Sequence, residues 1–213
     1  ANALIATLDA ELAAAGCSFF AGVSYRNLML LGEAAQMKLT CMPPHDIPDE
    51  PVDRHWPKGD GAERVMEIMG RAEQLLARHP VNARRRNEGH LAATNIWLWG
   101  QGRPTVLDSF EARHGLRGAV ITGVDIIRGL GMGMGMQLIE VPGATGYTDT
   151  DYAAKGRYAV AALENTDLVC VHVEATDEAS HEGDVAAKVK ALEEIDRHIV
   201  GPVVEALEKV KFD

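Results

Sequence analysis

Along residues 1–15, Leu4, Ile5, Leu8 and Leu12 fall at the spacing of one helix face, and Gly16 closes the run. The apolar stretch 17–23 then reads as a strand, and Leu28 to Leu31 as a second one after the polar Ser24-Tyr25-Arg26 interruption. Residues 43–60, PPHDIPDEPVDRHWPKGD, mix prolines with acids and predict an irregular surface segment of the kind that often carries function. From Gly61 to Arg78, Val65, Ile68, Met69, Ala72, Leu75 and Leu76 recur at helical spacing, and Pro80 stops the helix. Residues 81–94 are polar and basic. Asn95 to Trp99 reads as a buried strand running into Gly100-Gln101-Gly102, and Val106 to His114 as a short helix ended by Gly115.

Beyond that point the pattern becomes regular. Strand Ala119 to Thr122, helix Val124 to Leu130, strand Gln137 to Val141, helix Tyr152 to Leu163, strand Leu168 to Val173 and helix Asp184 to Val210 alternate, which predicts an α/β protein with a mostly parallel sheet and helices on its faces. In the last helix Val185, Val189, Leu192, Ile199, Val203 and Leu207 make the expected buried stripe, and Pro202 is expected to kink it near Gly201. A lobe boundary is placed near residues 103–117. It divides the chain into a smaller α/β part, 1–110, and a sheet-bearing part, 111–213.

Composition narrows the function. A chain of 213 residues buries one good core or two small ones. Its formal net charge of −10 repels nucleic acid and anionic lipid, and the basic cluster Arg84-Arg85-Arg86 is too short to hold a duplex. No apolar run approaches the ~18 residues that cross a bilayer. Cys17, Cys41 and Cys170 form no C-x-x-C pair, so neither a disulfide framework nor a thiolate zinc site is indicated, and a reducing cytoplasmic compartment is the expectation. The chain opens inside a predicted helix without a capping residue, from which an internal fragment of a longer protein is expected.

The most informative segment is DLVCVHVEATDEASHEGD, residues 167–184. An apolar strand ends in Glu174, Asp177, Glu178, His181, Glu182 and Asp184, and ligands of open α/β sheets sit at the carboxyl ends of strands. Asp177 and His181 are four apart, which on a helical turn puts a carboxylate and an imidazole on one face, able to share a cation. A solvated acidic loop with an i,i+4 Asp–His pair has the same spacing, and two ligands do not complete a metal site. The glycine run 129–136, GLGMGMGM, fits tight helix packing or a phosphate cradle, but lacks the G-x-G-x-x-G spacing. In VPGATGYTDTDYAAK, residues 141–155, Thr150 or Asp151 caps the helix bearing Lys155. Arg26, Arg84 to Arg86 and Arg103 are surface charges or, on loops of an acidic protein, anion contacts.

Several stretches together resemble the archaeal-type phosphoglycerate mutases that need no bisphosphoglycerate: GVSYRNLML, CMPPHDI, RHPVNARRR, ATNIWLWGQG, GVDIIRGLG, VPGATGYTDTDYAAK and HVEATDEASHEGD. The resemblance implies an alkaline-phosphatase-like core with a smaller inserted α/β lid. It also implies transfer of a phosphoryl group between the hydroxyls of 3- and 2-phosphoglycerate through a serine, aided by two divalent cations, manganese, magnesium or zinc. By motif, Asp177 and His181 become ligands of one cation, Arg128 and Lys155 lie near the phosphate, and Arg26, Arg85 and Arg103 become lid contacts to carboxylate and phosphate. The family's serine and its remaining ligands match nothing in this chain. The chain alone is therefore expected to be inactive, to bind metal weakly and to self-associate through an exposed sheet edge. A related phosphotransferase acting on another alcohol, such as homoserine, would share the metal half-site. A stand-alone nucleotide-binding or interaction domain would not need it.

Overall fold

The computed structural model describes residues 1–22, 26–32 and 37–209, so Val23 at the end of the first expected strand, Ser24-Tyr25 and Val210 at the end of the expected terminal helix lie outside the described residues. The chain forms two compact units, Ala1–Pro104 and Thr105–Asp213.

In the first unit α1 (Asn2–Leu12) leads into the antiparallel pair β1 (Cys17–Phe20) and β2 (Leu28–Leu31), registered from Cys17 opposite Leu31 to Phe20 opposite Leu28. Alternation in β1 turns Cys17 and Phe19 inward and Ser18 and Phe20 outward. The inward pair joins Leu4, Ile5, Leu8 and Leu12 of α1 and Ile68, Ala72 and Leu76 of α2 (Ala62–Ala77) in one core. Leu8, Leu12 and Ile68 are fully enclosed, each worth about 1.5–3 kcal/mol of apolar burial. A second antiparallel pair joins β3 (Lys38–Thr40) to β4 (Lys58–Asp60), so the last three residues of the segment 43–60, expected to be irregular, form a strand, and two short 3-10 turns precede it.

One expectation holds here and one fails. Pro80 does end α2, but it also opens α3 (Pro80–Asn87). The missing N–H of proline costs nothing at a first helical position, and His79 caps the helix by accepting the Val81 N–H at Nδ1. Asn95 to Trp99 forms no strand, and the segment around it is held by side-chain hydrogen bonds on either side. The buried Asn82 exchanges two hydrogen bonds with the backbone of Ala93, at 2.7 and 2.9 Å. Trp97 donates Nε1–H to the Met42 carbonyl at 2.8 Å and Gln101 donates to the Leu39 carbonyl at 2.9 Å.

The second unit is built on a parallel sheet in the order β6 (Gln137–Leu138), β5 (Gly118–Ile121), β7 (Leu168–Val171). The central strand is buried throughout, as its run GAVI requires. After the short α4 (Phe110–His114), α5 (Asp125–Gly133) and α6 (Tyr152–Ala162) pack on the sheet. Gly131 lets α5 close on it, since a Cβ there would meet the side chains of Val120 and Leu138 at 3.1 Å.

The terminal helix departs from the expected one. It runs as α8 (Val185–Ile195), a π-helical turn Asp196–Val200, and α9 (Gly201–Leu207). Pro202 has no N–H and its ring crowds the His198 carbonyl, and the wide turn, closed by the Gly201 N–H to Asp196, absorbs both faults. The freed region of chain packs on α6 where Gly156 stands, so closely that a Cβ there would lie 1.8 Å from the His198 oxygen. The expected stripe is only partly buried: Ile199 is enclosed, while Val185, Val189 and Leu192 are 76%, 50% and 53% exposed. Ala191, Ile195 and Ile199 face the core with Tyr152 and Ala175 instead.

Candidate metal half-site at the sheet end

The carboxyl ends of β5 and β7 gather the polar groups of the second unit. β5 exits through Thr122 and β7 through His172 and Glu174, and the three side chains stand in a row, the first two hydrogen-bonded and the last two paired in charge. Thr122 Oγ1 accepts the Val124 N–H at 3.0 Å and lies 3.2 Å from His172 Nδ1, while His172 Nε2 lies 3.1 Å from Glu174 Oε2. With the hydroxyl donating to Nδ1, Nε2 is left facing the Glu174 carboxylate as an electrostatic contact.

Lys155 lies beneath this row. Its side chain is wholly buried, and Nζ donates to the His172 carbonyl at 3.1 Å and reaches the Thr145 carbonyl at 3.5 Å. Burial pushes its amine below the ordinary lysine range, and the charge of Glu174 pulls the other way. The loop over it is folded by its own hydroxyls. Thr150 Oγ1 accepts the Thr145 N–H at 3.0 Å, Thr145 Oγ1 donates to Asp149 at 2.6 Å, and Asp151 takes the cap of α6 by accepting the Ala154 N–H at 2.8 Å.

From Glu174 the chain turns into α7 (Ala175–His181), with acids in its first turn and a histidine in its last, the order the helix dipole favours. Ala175 and Ala179 are buried, which turns Asp177 and His181 to solvent one helical turn apart. His181 Nε2 stands 3.2 Å from Asp177 Oδ2, and the side chains are 70% and 61% exposed. Around them Ser180 accepts from Lys188 Nζ at 2.6 Å, and the Tyr147 hydroxyl bonds to Glu182, which holds the phenol above its usual range. A carboxylate oxygen and an imidazole nitrogen, adjacent and open to water, fit two positions of a divalent cation's ligand shell. Among the described residues no group of three or more His, Cys, Asp or Glu side chains stands ready to hold a metal, so the fit is to a half-site.

The other residues singled out are placed differently. Arg128 grips Glu140 through both terminal nitrogens, which lowers the carboxyl below its usual range. Arg85, on α3, donates Nε–H to the Leu91 carbonyl at 2.7 Å. Arg26 and Arg103 are exposed on separate segments of the first unit. The first five residues of the glycine run belong to α5, where Gly131 serves helix-to-sheet packing. Thr122, His172 and Tyr147 escaped the sequence reading, although their positions at strand exits and in the loop before α6 were a usable signal.

A family model described as the Metalloenzyme superfamily matches residues 49–212, and one described as 2,3-bisphosphoglycerate-independent phosphoglycerate mutase matches residues 1–82. The 2,3-bisphosphoglycerate-independent phosphoglycerate mutase 2 of Methanothermobacter thermautotrophicus is 49% identical over 208 residues, covering 97% of this chain and 52% of that protein. The corresponding enzyme of Methanosarcina mazei is 45% identical over 208 residues, covering 98% and 52%. The solved cofactor-independent phosphoglycerate mutase of Thermoplasma acidophilum shares the fold at a TM-score of 0.57 over 98% of this chain and 53% of that one, at 22% identity. The chain spans about half the length of the curated relatives it matches. With a parallel sheet bearing acids and a histidine at its carboxyl end, and a family match over most of its length, the chain belongs to the Metalloenzyme superfamily.

Proposed function

We propose that this chain carries one cation's Asp–His pair, and the bed on which it rests, for a phosphoglycerate mutase that interconverts 3- and 2-phosphoglycerate. The observation that carries the reading is the exposed, convergent pair Asp177 and His181 at the end of β7, in a chain whose relatives are named as mutases of this type. The remaining ligands of two divalent cations, and the serine that receives the phosphoryl group, come from outside these residues. A bound cation, manganese, magnesium or zinc, supplies charge to neutralise phosphoryl oxygens.

The chain's own groups then have assigned tasks. Asp177 and His181 would hold the cation in place of their mutual contact. Glu174 and His172 fix the turn into α7, and Lys155 ties the β7 exit to the Thr145 loop from below, close to the anion but reaching it only through that backbone. Arg128 presents a guanidinium to phosphate when it releases Glu140. Arg26, Arg85 and Arg103 belong to a lid that recognises the glycerate carboxylate and phosphate, with the lid formed by the first part of the chain. The compartment is cytoplasmic; among the described residues no helix is long and apolar enough to cross a membrane.

The test is binding of 3-phosphoglycerate to the 213-residue chain, followed by phosphorus NMR with and without manganese. The reading predicts binding that strengthens with manganese and loses that dependence in Asp177→Ala. Binding indifferent to manganese, or unchanged in the variant, contradicts it.

A further inference from the structure

The first unit contains an apolar cavity of about 350 Å³ that the mutase reading does not use. Trp56 and Trp97 form part of its wall, with ring centroids 5.6 Å apart and planes inclined by 31°. The Trp97 N–H is already bonded to the Met42 carbonyl, so this indole offers the cavity its ring rather than a donor. Met66 and Met69 of α2 supply polarizable apolar surface beside the rings. The charged group in the lining is Glu73, a carboxylate set in an otherwise apolar and amide-lined wall.

Gly70 gives a second, independent indication. It stands inside the 16-residue α2, where glycine is less favourable than alanine. A Cβ at Gly70 would meet nothing within 4 Å, and its backbone is not left-handed, so neither packing nor conformation calls for glycine. What the missing side chain does is leave the cavity wall bare between Met69 and Glu73.

Aromatic faces, soft sulfur and one carboxylate together match a cation that carries apolar surface. We propose that this cavity binds a small organic cation of the quaternary ammonium class, its methyl groups against Trp56 and Trp97 and its charge compensated by Glu73. Glu73 repels the anionic phosphoglycerate, so the site is separate from the proposed reaction and stands or falls without it.

The experiment titrates the full chain with choline and, in a parallel arm, with 3,3-dimethylbutan-1-ol, the uncharged molecule of the same shape, reading tryptophan fluorescence. Choline is expected to give a saturable change with a Kd on the order of millimolar. The alcohol is expected to bind at least about fivefold more weakly, and Glu73→Gln to weaken choline about threefold. Gly70→Leu fills the bare wall and is expected to abolish binding without lowering Tm; Gly70→Ala, a smaller change, is expected to weaken it. Absence of saturation, equal binding of the alcohol, or undiminished binding in Gly70→Leu each overturns the proposal, and equal binding of the alcohol assigns the cavity to a neutral apolar group instead.

Discussion

Lys155 shows how one residue's environment becomes a measurable property. The buried amine is held below its ordinary value of 10.5, while the unfolded chain keeps its proton to that value. Between the two values the unfolded state binds the extra proton, so stability rises with pH as the penalty of a buried charge is relieved. Lys155→Met removes this term and orphans the His172 and Thr145 carbonyls, a pH-independent loss. Urea denaturation from about pH 7 to about pH 10 is expected to show wild type gaining on the variant as pH rises. A flat difference would place the amine in water. The sequence placed this lysine on a helix and, by resemblance, near a phosphate, and nothing in its spacing records that the loop before it closes over the side chain. Asn82 poses the same difficulty: it is polar, fully buried and bonded to the Leu76 and Ala93 carbonyls and the Ala93 N–H. Asn82→Ala is expected to cost about 2–3 kcal/mol or more in chemical denaturation, since buried backbone groups lose their partner. A loss under about 0.5 kcal/mol would mean that water replaces the amide without penalty.

At the scale of elements, period was the reliable guide where one face alone is buried. Residues 62–77 are helical as their stripe requires, and β2 occupies the positions its apolar run marks. Asn95 to Trp99 misled because an apolar run reports burial demand and not a ladder partner; around it the Asn82, Trp97 and Gln101 side chains bond to the Ala93, Met42 and Leu39 carbonyls. The terminal helix misled for another reason. Its π-helical turn at Asp196–Val200 shifts the registry of the faces, so a stripe drawn with one uniform period is exposed at Val185 and Val189 and buried at Ile199. Gly156 is the residue on which this contact depends. Gly156→Ala is expected to destabilise by about 3 kcal/mol, although alanine is the better helix former, because its methyl would overlap the His198 carbonyl. Thermal unfolding checks this; a variant as stable as wild type would show that the turn yields without strain.

For the whole molecule, the alternation of strands and helices after residue 117 made the parallel sheet legible, and the acids after β7 stand at its carboxyl end, where the proposed site lies. The row Thr122, His172 and Glu174 was not legible, since it joins two strands distant in sequence. The sheet also bears on association. Among the described residues β7 is an edge strand of four apolar residues, with Leu168 at 41% exposure and Cys170 exposed. Unpaired edges of this kind recruit other strands. Light scattering is expected to show mass rising with concentration, and Cys170→Lys to suppress the rise; a concentration-independent monomer would contradict it.

The Asp177–His181 pair is tested most directly by a manganese titration followed through the imidazole ring protons of each histidine. His181 is expected to broaden first, at the lowest manganese, and Asp177→Ala to remove that preference while the remaining histidines keep their response. Equal broadening of all histidines, or an unchanged His181 response in Asp177→Ala, would show that the pair is a surface ion pair and holds no metal.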